Sequence, residues 1–341
     1  MSSYDEKINK LFYYWLLLSF FMVFIMVIVG GLTRLTNSGL SITEWELIKG
    51  ILPPLNDQQW GNYFLLYKQI PQYQLVNSNM SLQEFKVIFY WEYFHRVLGR
   101  LIGVFFLVPL IYFYITDKIN KEYLKVCFII LFLIIFQGFI GWYMVKSGLV
   151  NNISVSHYRL SLHLSIAFII ISLIFWMLLN VRFRKFNIFF NKKKKSYIFQ
   201  ILIFLIFFQI IFGAFVSGLD AGRIYQTWPL MNNTYFPDDV SLVKFKDLID
   251  FNNHGLVQFY HRNIAYIIVV YILITGFYVL KLKNNNLNKS FFLVSIILIL
   301  QIALGVTTLT SGLNIYLASA HQISSLFLIL SVINLYYNYI N

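Results

Sequence analysis

Long apolar runs separated by short polar segments dominate the sequence. Eight of these runs have about 20 residues, the length that an α-helix needs to cross the hydrocarbon core of a bilayer. They cover residues 12–32, 92–115, 124–145, 160–180, 197–217, 258–280, 290–310 and 317–338. The pattern predicts an all-α integral membrane protein with eight transmembrane helices.

The pattern of apolar runs and motifs occurs twice. Phe136–Gly141 in the first part of the chain is matched by Leu300–Gly305 in the second. We therefore predict two pseudo-symmetric four-helix bundles, residues 1–180 and residues 197–341, joined by the linker 181–196. Because each half has an even number of spans, the two halves are expected to have the same orientation, related by an axis along the membrane normal.

Basic residues lie between the apolar runs. The linkers 115–124, 181–196 and 281–289 are short and rich in lysine, so the positive-inside rule predicts that they and both termini face the cytoplasm of the cell (inner) membrane. The long connections 33–91 and 218–257 then face outward. Topology thus explains the net charge of +13, and a nucleic-acid partner is excluded. The composition agrees with a membrane protein, with 59% hydrophobic residues and a mean hydropathy of +0.67.

Four of the six histidines lie at the start of even-numbered runs. They are His95, His163, His261 and His321. Even runs cross from outside to inside, so we expect all four within about two turns of their helix starts, near the outer face. One pair per half, with no cysteine or further carboxylate nearby, suits haem iron better than zinc or a di-iron centre. The alternative is four polar histidines used in helix packing or proton relay.

The remaining histidines and the neighbouring arginines are interpreted differently. His157 and His254 fall just outside the apolar runs, so we expect surface histidines in outward loops. Arg96 and Arg262 directly follow His95 and His261 in the sequence. Their guanidinium groups either pair with haem propionates or anchor the helices at the membrane interface.

Glu92 makes the two halves unequal. It lies three residues before His95, on the same helix face, whereas the second half has the neutral Gln258 at that place. One half thus has a bare histidine pair and the other a pair plus an acid, as expected if one haem is a fixed cofactor and the other a substrate. We expect Glu92 to be catalytic, acting in proton transfer at the substrate haem. The alternative is that Glu92 pairs with a neighbouring arginine.

Taken together, the motifs resemble those of the haem A synthase family of bacteria and mitochondria, over nearly the whole chain. The matching segments are Gly31–Ser41 with Thr43-Glu44-Trp45, Glu92–Arg96, His163, Gly218–Gly222 with Trp228–Met231, His261-Arg262 and His321-Gln322. Many prokaryotic members carry a cysteine pair in the outward loops. The single cysteine here, Cys127, lies in an apolar run, so the chain is similar to the cysteine-free branch and no thiol relay is expected.

The resemblance implies a division of work between the halves. Haem b would be a cofactor in the carboxy-terminal half, where we expect His261 and His321 as iron ligands and Arg262 as a further contact. Haem O would be the substrate in the amino-terminal half, where we expect it to contact His95, His163 and Arg96.

The same resemblance implies the reaction and its partners. The C8 methyl of haem O would be converted to a formyl group by successive oxidations, giving haem A for cytochrome oxidase. Expected partners are haem O, the lipid bilayer, a haem O synthase, oxidase assembly factors and an unidentified electron donor. A homo-oligomer is compatible with the sequence.

Two other functions would use the same residues. A bis-histidine cytochrome b that only transfers electrons would contain two haems of one type and would not change the haem product. A repeat-built transporter would use the intramembrane polar residues for substrate or protons and would purify without haem. A pyridine haemochrome spectrum distinguishes these functions.

Overall fold

The computed structural model describes residues 3–44, 49–149, 153–190, 193–240 and 245–341. Trp45 and Lys192, which belong to a matched motif and to a basic linker, lie outside these ranges. The described residues form α-helices and connecting loops, with only an isolated bridge between Met231 and Thr234. The α-helices are α1 Ser3–Leu35, α2 Asp57–Lys68, α3 Pro71–Leu75, α4 Leu82–Ile115, α5 Lys121–Gly148, α6 His157–Phe183, α7 Tyr197–Gly218, α8 His254–Lys281, α9 Asn285–Thr310 and α10 Ile315–Ile340.

Eight of the described helices, α1 and α4 to α10, are long and apolar enough to cross a membrane. Each of them contains one of the eight predicted runs, and they confirm an all-α, multi-pass membrane protein. Many apolar side chains on these helices are exposed, as expected for helix surfaces that face lipid. The two short helices α2 and α3 lie in the connection 33–91. The sequence pattern had left the internal structure of this connection open.

α4 begins at Leu82, ten residues before the predicted run. A capping box explains the early start: the Ser81 hydroxyl accepts a hydrogen bond from the Glu84 N–H (3.3 Å), and the Glu84 carboxylate accepts one from the Ser81 N–H (2.8 Å). His95 therefore lies about three and a half turns into its helix. The prediction that all four histidines lie within two turns of a helix start is wrong for this one.

The chain divides into two compact units, Met1–Ile174 and Phe175–Asn341, and the division falls inside α6. In the first unit α4 packs against α1 and α5. In the second unit α8 packs against α7 and α9, and α10 packs against α9 and α7. The predicted boundaries at residues 180 and 197, and the pseudo-symmetry of the two bundles, stay predictions.

An apolar cluster in the first unit holds the segment after α1 against α4. It joins residues of that segment, of α2 with the residue two positions after it, and of the amino-terminal part of α4: Leu40, Ile42, Trp60, Tyr67, Ile70, Phe85 and Phe89. Gln72 fastens the segment further, because its Nε2 donates to the Asn37 carbonyl (3.1 Å) and its Oε1 accepts from the Tyr67 hydroxyl (3.1 Å). The packing brings residues 41 and 42 beside Glu92.

Tyr225 anchors the loop after α7 in the second unit. Its ring is buried, and its hydroxyl donates to the Asp238 carboxylate and lies 2.7 Å from Asp239 Oδ1. Burial, together with these two carboxylates, raises the pKa of the Tyr225 hydroxyl above its usual range. The phenol therefore stays a neutral donor, and the Tyr225 main chain is held at the start of α8.

Candidate functional site

The four intramembrane histidines form two pairs, one inside each unit. His95 on α4 and His163 on α6 have ring centroids 6.4 Å apart, with 51° between the ring planes. His261 on α8 and His321 on α10 have ring centroids 6.5 Å apart, with 81° between the planes. The pairing expected from the sequence is therefore present in both units.

The spacing of each pair fits two imidazole ligands on one iron atom. An imidazole–metal bond of about 2 Å on each side, with about 1 Å from each nitrogen to its ring centre, gives a centroid separation of roughly 6 Å. One buried ring nitrogen of His163 and one of His261 have no hydrogen-bond partner among the described residues, and a bond to iron would satisfy them. The described residues contain no cluster of three His, Cys, Asp or Glu side chains that could hold a metal ion, so the pairs are the candidate ligands there.

Each imidazole lies against a glycine of a neighbouring helix. The contacts join Gly30 with His95, Gly141 with His163, Gly213 with His261, and Gly305 with His321. A Cβ at any of these glycines would lie 2.8–3.1 Å from an imidazole atom, closer than normal packing allows. Glycine is therefore required so that the ring can lie directly on the next helix. The sequence repeat pointed to these glycines, but their contact with the histidines was missed.

A glutamine lies one turn before the glycine in three of the four contacts. Gln137 Nε2 on α5 donates to the His163 carbonyl (2.9 Å), and Gln209 Nε2 on α7 donates to the His261 carbonyl (3.0 Å). Gln209 Nε2 is also 3.4 Å from His261 Nε2. The spacing Gln-x-x-x-Gly was the sequence signal that would have identified these residues.

The third glutamine, Gln301 on α9, contacts its histidine through both side chain and main chain. Gln301 Nε2 lies 3.5 Å from His321 Nε2, and the Gln301 carbonyl lies 3.1 Å from His321 Nδ1. Its amide oxygen accepts a hydrogen bond from the Ser324 hydroxyl, which is also 3.0 Å from the His321 carbonyl. The imidazole of His321 is thus held from two directions.

Glu92 is buried and hydrogen-bonded at both carboxylate oxygens. Oε2 accepts from the Ser41 hydroxyl (2.7 Å) and the Ile42 N–H (2.9 Å), and Oε1 accepts from Arg96 Nη2 (2.6 Å) and Nε (3.1 Å). Arg96 Nη2 also donates to the Ile42 carbonyl (2.8 Å). The pairing with an arginine, raised as the alternative from the sequence, is present. A catalytic role of Glu92 stays a prediction.

Arg262 occupies the corresponding place in the second unit and has no carboxylate partner among the described residues. It donates from Nη2 to the Tyr225 carbonyl (3.1 Å) and from Nη1 to the Leu230 carbonyl (3.2 Å), while its Nε is buried without a hydrogen-bond partner. Gln258 Nε2 donates to the same Tyr225 carbonyl (2.9 Å). Arg262 therefore places beside His261 a positive charge that no carboxylate of the described ranges pairs with.

His157 and His254 do not lie in outward loops. Each is the first residue of its helix, α6 and α8 respectively. His157 is only 7% exposed and lies 4.1 Å from the Tyr158 ring, centroid to centroid. The expectation of a surface histidine is wrong for His157, because α6 begins earlier than the apolar run.

Comparisons with known proteins agree with the motifs. A family model described as "Cytochrome oxidase assembly protein" (COX15-CtaA) matches residues 13–333. A "Heme A synthase" of Pelagibacter ubique is 50% identical over 321 residues, covering 93% of each chain. Proteins of the same name from Flavobacterium psychrophilum and Rickettsia africae are 42% and 40% identical, each over at least 93% of both chains.

Proposed function

The chain belongs to the COX15-CtaA family of cytochrome oxidase assembly proteins, and we propose that it converts the C8 methyl of haem O to a formyl group, giving haem A. Its curated relatives are haem A synthases, and the activity is that of an oxidoreductase in cytochrome oxidase assembly. The proposal places the substrate in the first unit and a haem b cofactor in the second. The observation that carries it is the presence of two histidine pairs with iron-compatible spacings of 6.4 and 6.5 Å.

His261 and His321 are proposed to hold the haem b iron. Two imidazole ligands would saturate the iron, so the haem would supply one-electron transfer and would not bind oxygen directly. Arg262 supports the assignment, because its guanidinium has no carboxylate partner in the described part of the chain and a haem propionate is a carboxylate. A permanently bound anionic group at this place would compensate the buried cation.

His95 and His163 are proposed to ligate the substrate iron, with Arg96 as a further substrate contact. Among the described residues, Glu92 is a carboxylate of this site that the second unit replaces by the neutral Gln258. Conversion of the methyl to a formyl group adds an oxygen atom and requires proton transfers at the methyl carbon, and we assign these proton transfers to Glu92. Glu92 and Arg96 are in direct contact, so a substitution of either residue removes a hydrogen-bond partner of the other.

The proposed topology puts both termini and the three basic linkers in the cytoplasm. The support is the concentration of lysine and arginine in short connections, where the positive-inside rule is strongest. The histidine pairs then lie near the opposite face of the cell (inner) membrane. Reporter fusions at residues 190 and 285 should read as cytoplasmic and a fusion at 235 as external. The reverse pattern would move both haem sites to the inner face.

The partners follow from the proposed chemistry. Haem O, an apolar substrate, would come from a haem O synthase, and haem A would pass to assembly factors of cytochrome oxidase. An electron acceptor or donor is also required, and no described residue identifies its class. Co-purification from native membranes followed by mass spectrometry is the direct route to these partners.

A pyridine haemochrome spectrum of the purified full chain tests the proposal. We expect haem b together with haem O or haem A, and haem A should accumulate when haem O and electron-transfer partners are supplied by coexpression. Two haems of one type without haem A would favour the electron-transferring cytochrome b. Purification without haem would favour the transporter.

A further inference from the structure

One position breaks the pattern of glutamines beside the histidines. Gln137, Gln209 and Gln301 each precede by four residues a glycine that lies against a histidine. On α1, the residue four positions before Gly30 is Met26. His95 is thus the only one of the four intramembrane histidines without a glutamine at this place.

The helix that carries His95 is adapted to the methionine. Four residues after His95, α4 has Gly99, and a Cβ there would lie 3.1 Å from Met26 Cε. Four residues after His261, α8 has Ala265 instead. The Met26 side chain therefore fills a space that Gly99 leaves open, and its thioether has no N–H to donate. Both helices thus differ from those of the second unit: α1 has Met26 in place of glutamine, and α4 has Gly99 in place of alanine.

Packing alone does not explain the presence of the glutamines. The amide oxygens of Gln137 and Gln209 are buried without a hydrogen-bond partner among the described residues. A buried polar atom left unsatisfied lowers stability, so an apolar residue of the same shape would be favoured if only packing mattered. Their Nε2 groups, in contrast, donate to the main-chain carbonyls of His163 and His261. Groups that hold a metal-ligating histidine in place raise the affinity of the site for its metal.

We propose that Gln137, Gln209 and Gln301 are positioning residues that hold His163, His261 and His321, and that Met26 leaves His95 free of this restraint. His95 is then the ligand that a haem entering or leaving the first unit exchanges, while His163 stays in place. This assignment rests on the proposed function, in which the first unit binds a substrate that must leave as product. A cofactor site has both histidines restrained, and a substrate site has one.

Reciprocal substitutions test the proposal. Gln209→Met gives the second unit the residue of the first, and Met26→Gln does the reverse. The control is Gln200→Met, an identical change two and a half turns earlier on α7, where the amide contacts the Phe189 carbonyl and the Tyr336 hydroxyl and no histidine. The readout is carbon monoxide binding to the reduced, purified full chain, because carbon monoxide binds ferrous haem only where an axial ligand has left. Haem content from the pyridine haemochrome normalises each measurement.

We expect Gln209→Met to raise the rate of carbon monoxide binding about tenfold, the lower end of the effect of removing a partner of a metal-ligating histidine. Met26→Gln should lower the fraction of haem that reacts, and Gln200→Met should behave as wild type. Loss of haem from Gln209→Met with full haem in Gln200→Met would also support the proposal. Wild-type carbon monoxide kinetics in both reciprocal variants would overturn it.

The test separates this inference from the proposed function. The Gln209 arm reports on a histidine pair whatever haem it holds and whether or not haem A is made. If the chain carried two haems of one type and produced no haem A, the proposed function would fail while the Gln209 result stood. If haem A were made but neither reciprocal variant altered carbon monoxide binding, the positioning role alone would fail.

Discussion

The segment after α1 and the segment after α7 are attached to the following long helix at matching points but with different charges. In the first unit, the Ile42 N–H donates to Glu92 and the Ile42 carbonyl accepts from Arg96. Glu92 and Arg96 also bond each other at 2.6 Å, so the attachment contains both an anion and a cation. The charges of Glu92 and Arg96 therefore compensate each other.

In the second unit, the Tyr225 carbonyl accepts from Gln258 and from Arg262. An amide of nearly the same shape replaces the acid of the first unit. Gln258 donates to the Tyr225 carbonyl, whereas Glu92 accepts from the Ile42 N–H, and the negative charge is lost. The comparison teaches that both helices are attached to the preceding segment at matching residues, while the charge at the attachment differs.

Removing a ligand from one unit is the strongest way to break the comparison. We expect His261→Ala to abolish the low-spin haem b spectrum, since losing an iron ligand exceeds the roughly 10- to 100-fold effect of losing an outer partner. Haem held by His95 and His163 should remain. Absorption spectra and the pyridine haemochrome measure both. Full haem b content in this variant would show that the cofactor is not in the second unit.

Glu92→Gln makes the first unit resemble the second at the attachment point. The amide keeps the size of the side chain but cannot take a proton, so we expect haem A output to fall by about 100-fold or more, within the range for loss of a general acid or base. Haem O or a hydroxylated intermediate should accumulate, with haem b unchanged.

Chromatographic analysis of extracted haems checks the outcome for Glu92→Gln. Wild-type haem A output would exclude the catalytic role. Output lost together with haem b would instead assign Glu92 to the structure, through its bonds to Ser41, Ile42 and Arg96.

Adding a methyl group at Gly141 sharpens the comparison within one site. Gly141→Ala would place a Cβ 3.0 Å from His163, and overpacking of this kind costs about 1–3 kcal/mol. We expect several-fold weaker retention of haem in the first unit, measured by haem content after purification. Gly138→Ala on the same helix is the control, because a Cβ there meets nothing within 4 Å. Equal haem loss in both variants would mean that the helix and not the histidine contact is affected.

Gln258→Glu gives the second unit the acid of the first and should have the smallest effect. The new carboxylate lies four residues before Arg262, the spacing that pairs Glu92 with Arg96. A negative charge near haem b favours the oxidised iron, so the midpoint potential should fall on the order of tens of millivolts. Redox titration measures the shift. An unchanged potential would indicate that the charge of Arg262 is not felt at the iron.

Local patterns predicted most of the fold, because spanning helices are determined by continuous apolar length. The same rule missed the first ten residues of α4, where Gln83, Glu84 and Lys86 interrupt the apolar run. The start is fixed by Ser81 and Glu84. The histidine pairs were predictable because the repeat places the same residue type at similar positions. Their ring separations followed only from the structure, since they depend on how close two helices approach.

The contacts that distinguish the units could not be derived from sequence spacing. The pairing of Glu92 with Arg96 is a local contact at helical spacing, but the choice among neighbouring arginines depends on the position of the Ile42 main chain, about 50 residues away in the sequence. Likewise, the role of Gln209 depends on a histidine of another helix. Long-range contacts between backbone and side chain carry no periodic signal.

The length of α4 has a mechanical consequence. At 34 residues the helix is about 50 Å long, well beyond the hydrocarbon thickness of about 30 Å. Its first turns carry Phe85 and Phe89, which belong to the apolar cluster with α2. The same continuous helix carries His95 closer to its carboxyl end. A hydrogen-bonded helix resists bending over so few turns, so a push on the cluster is transmitted as a tilt or shift of the imidazole. α4 thus links the apolar cluster of the first unit rigidly to His95, its proposed iron ligand.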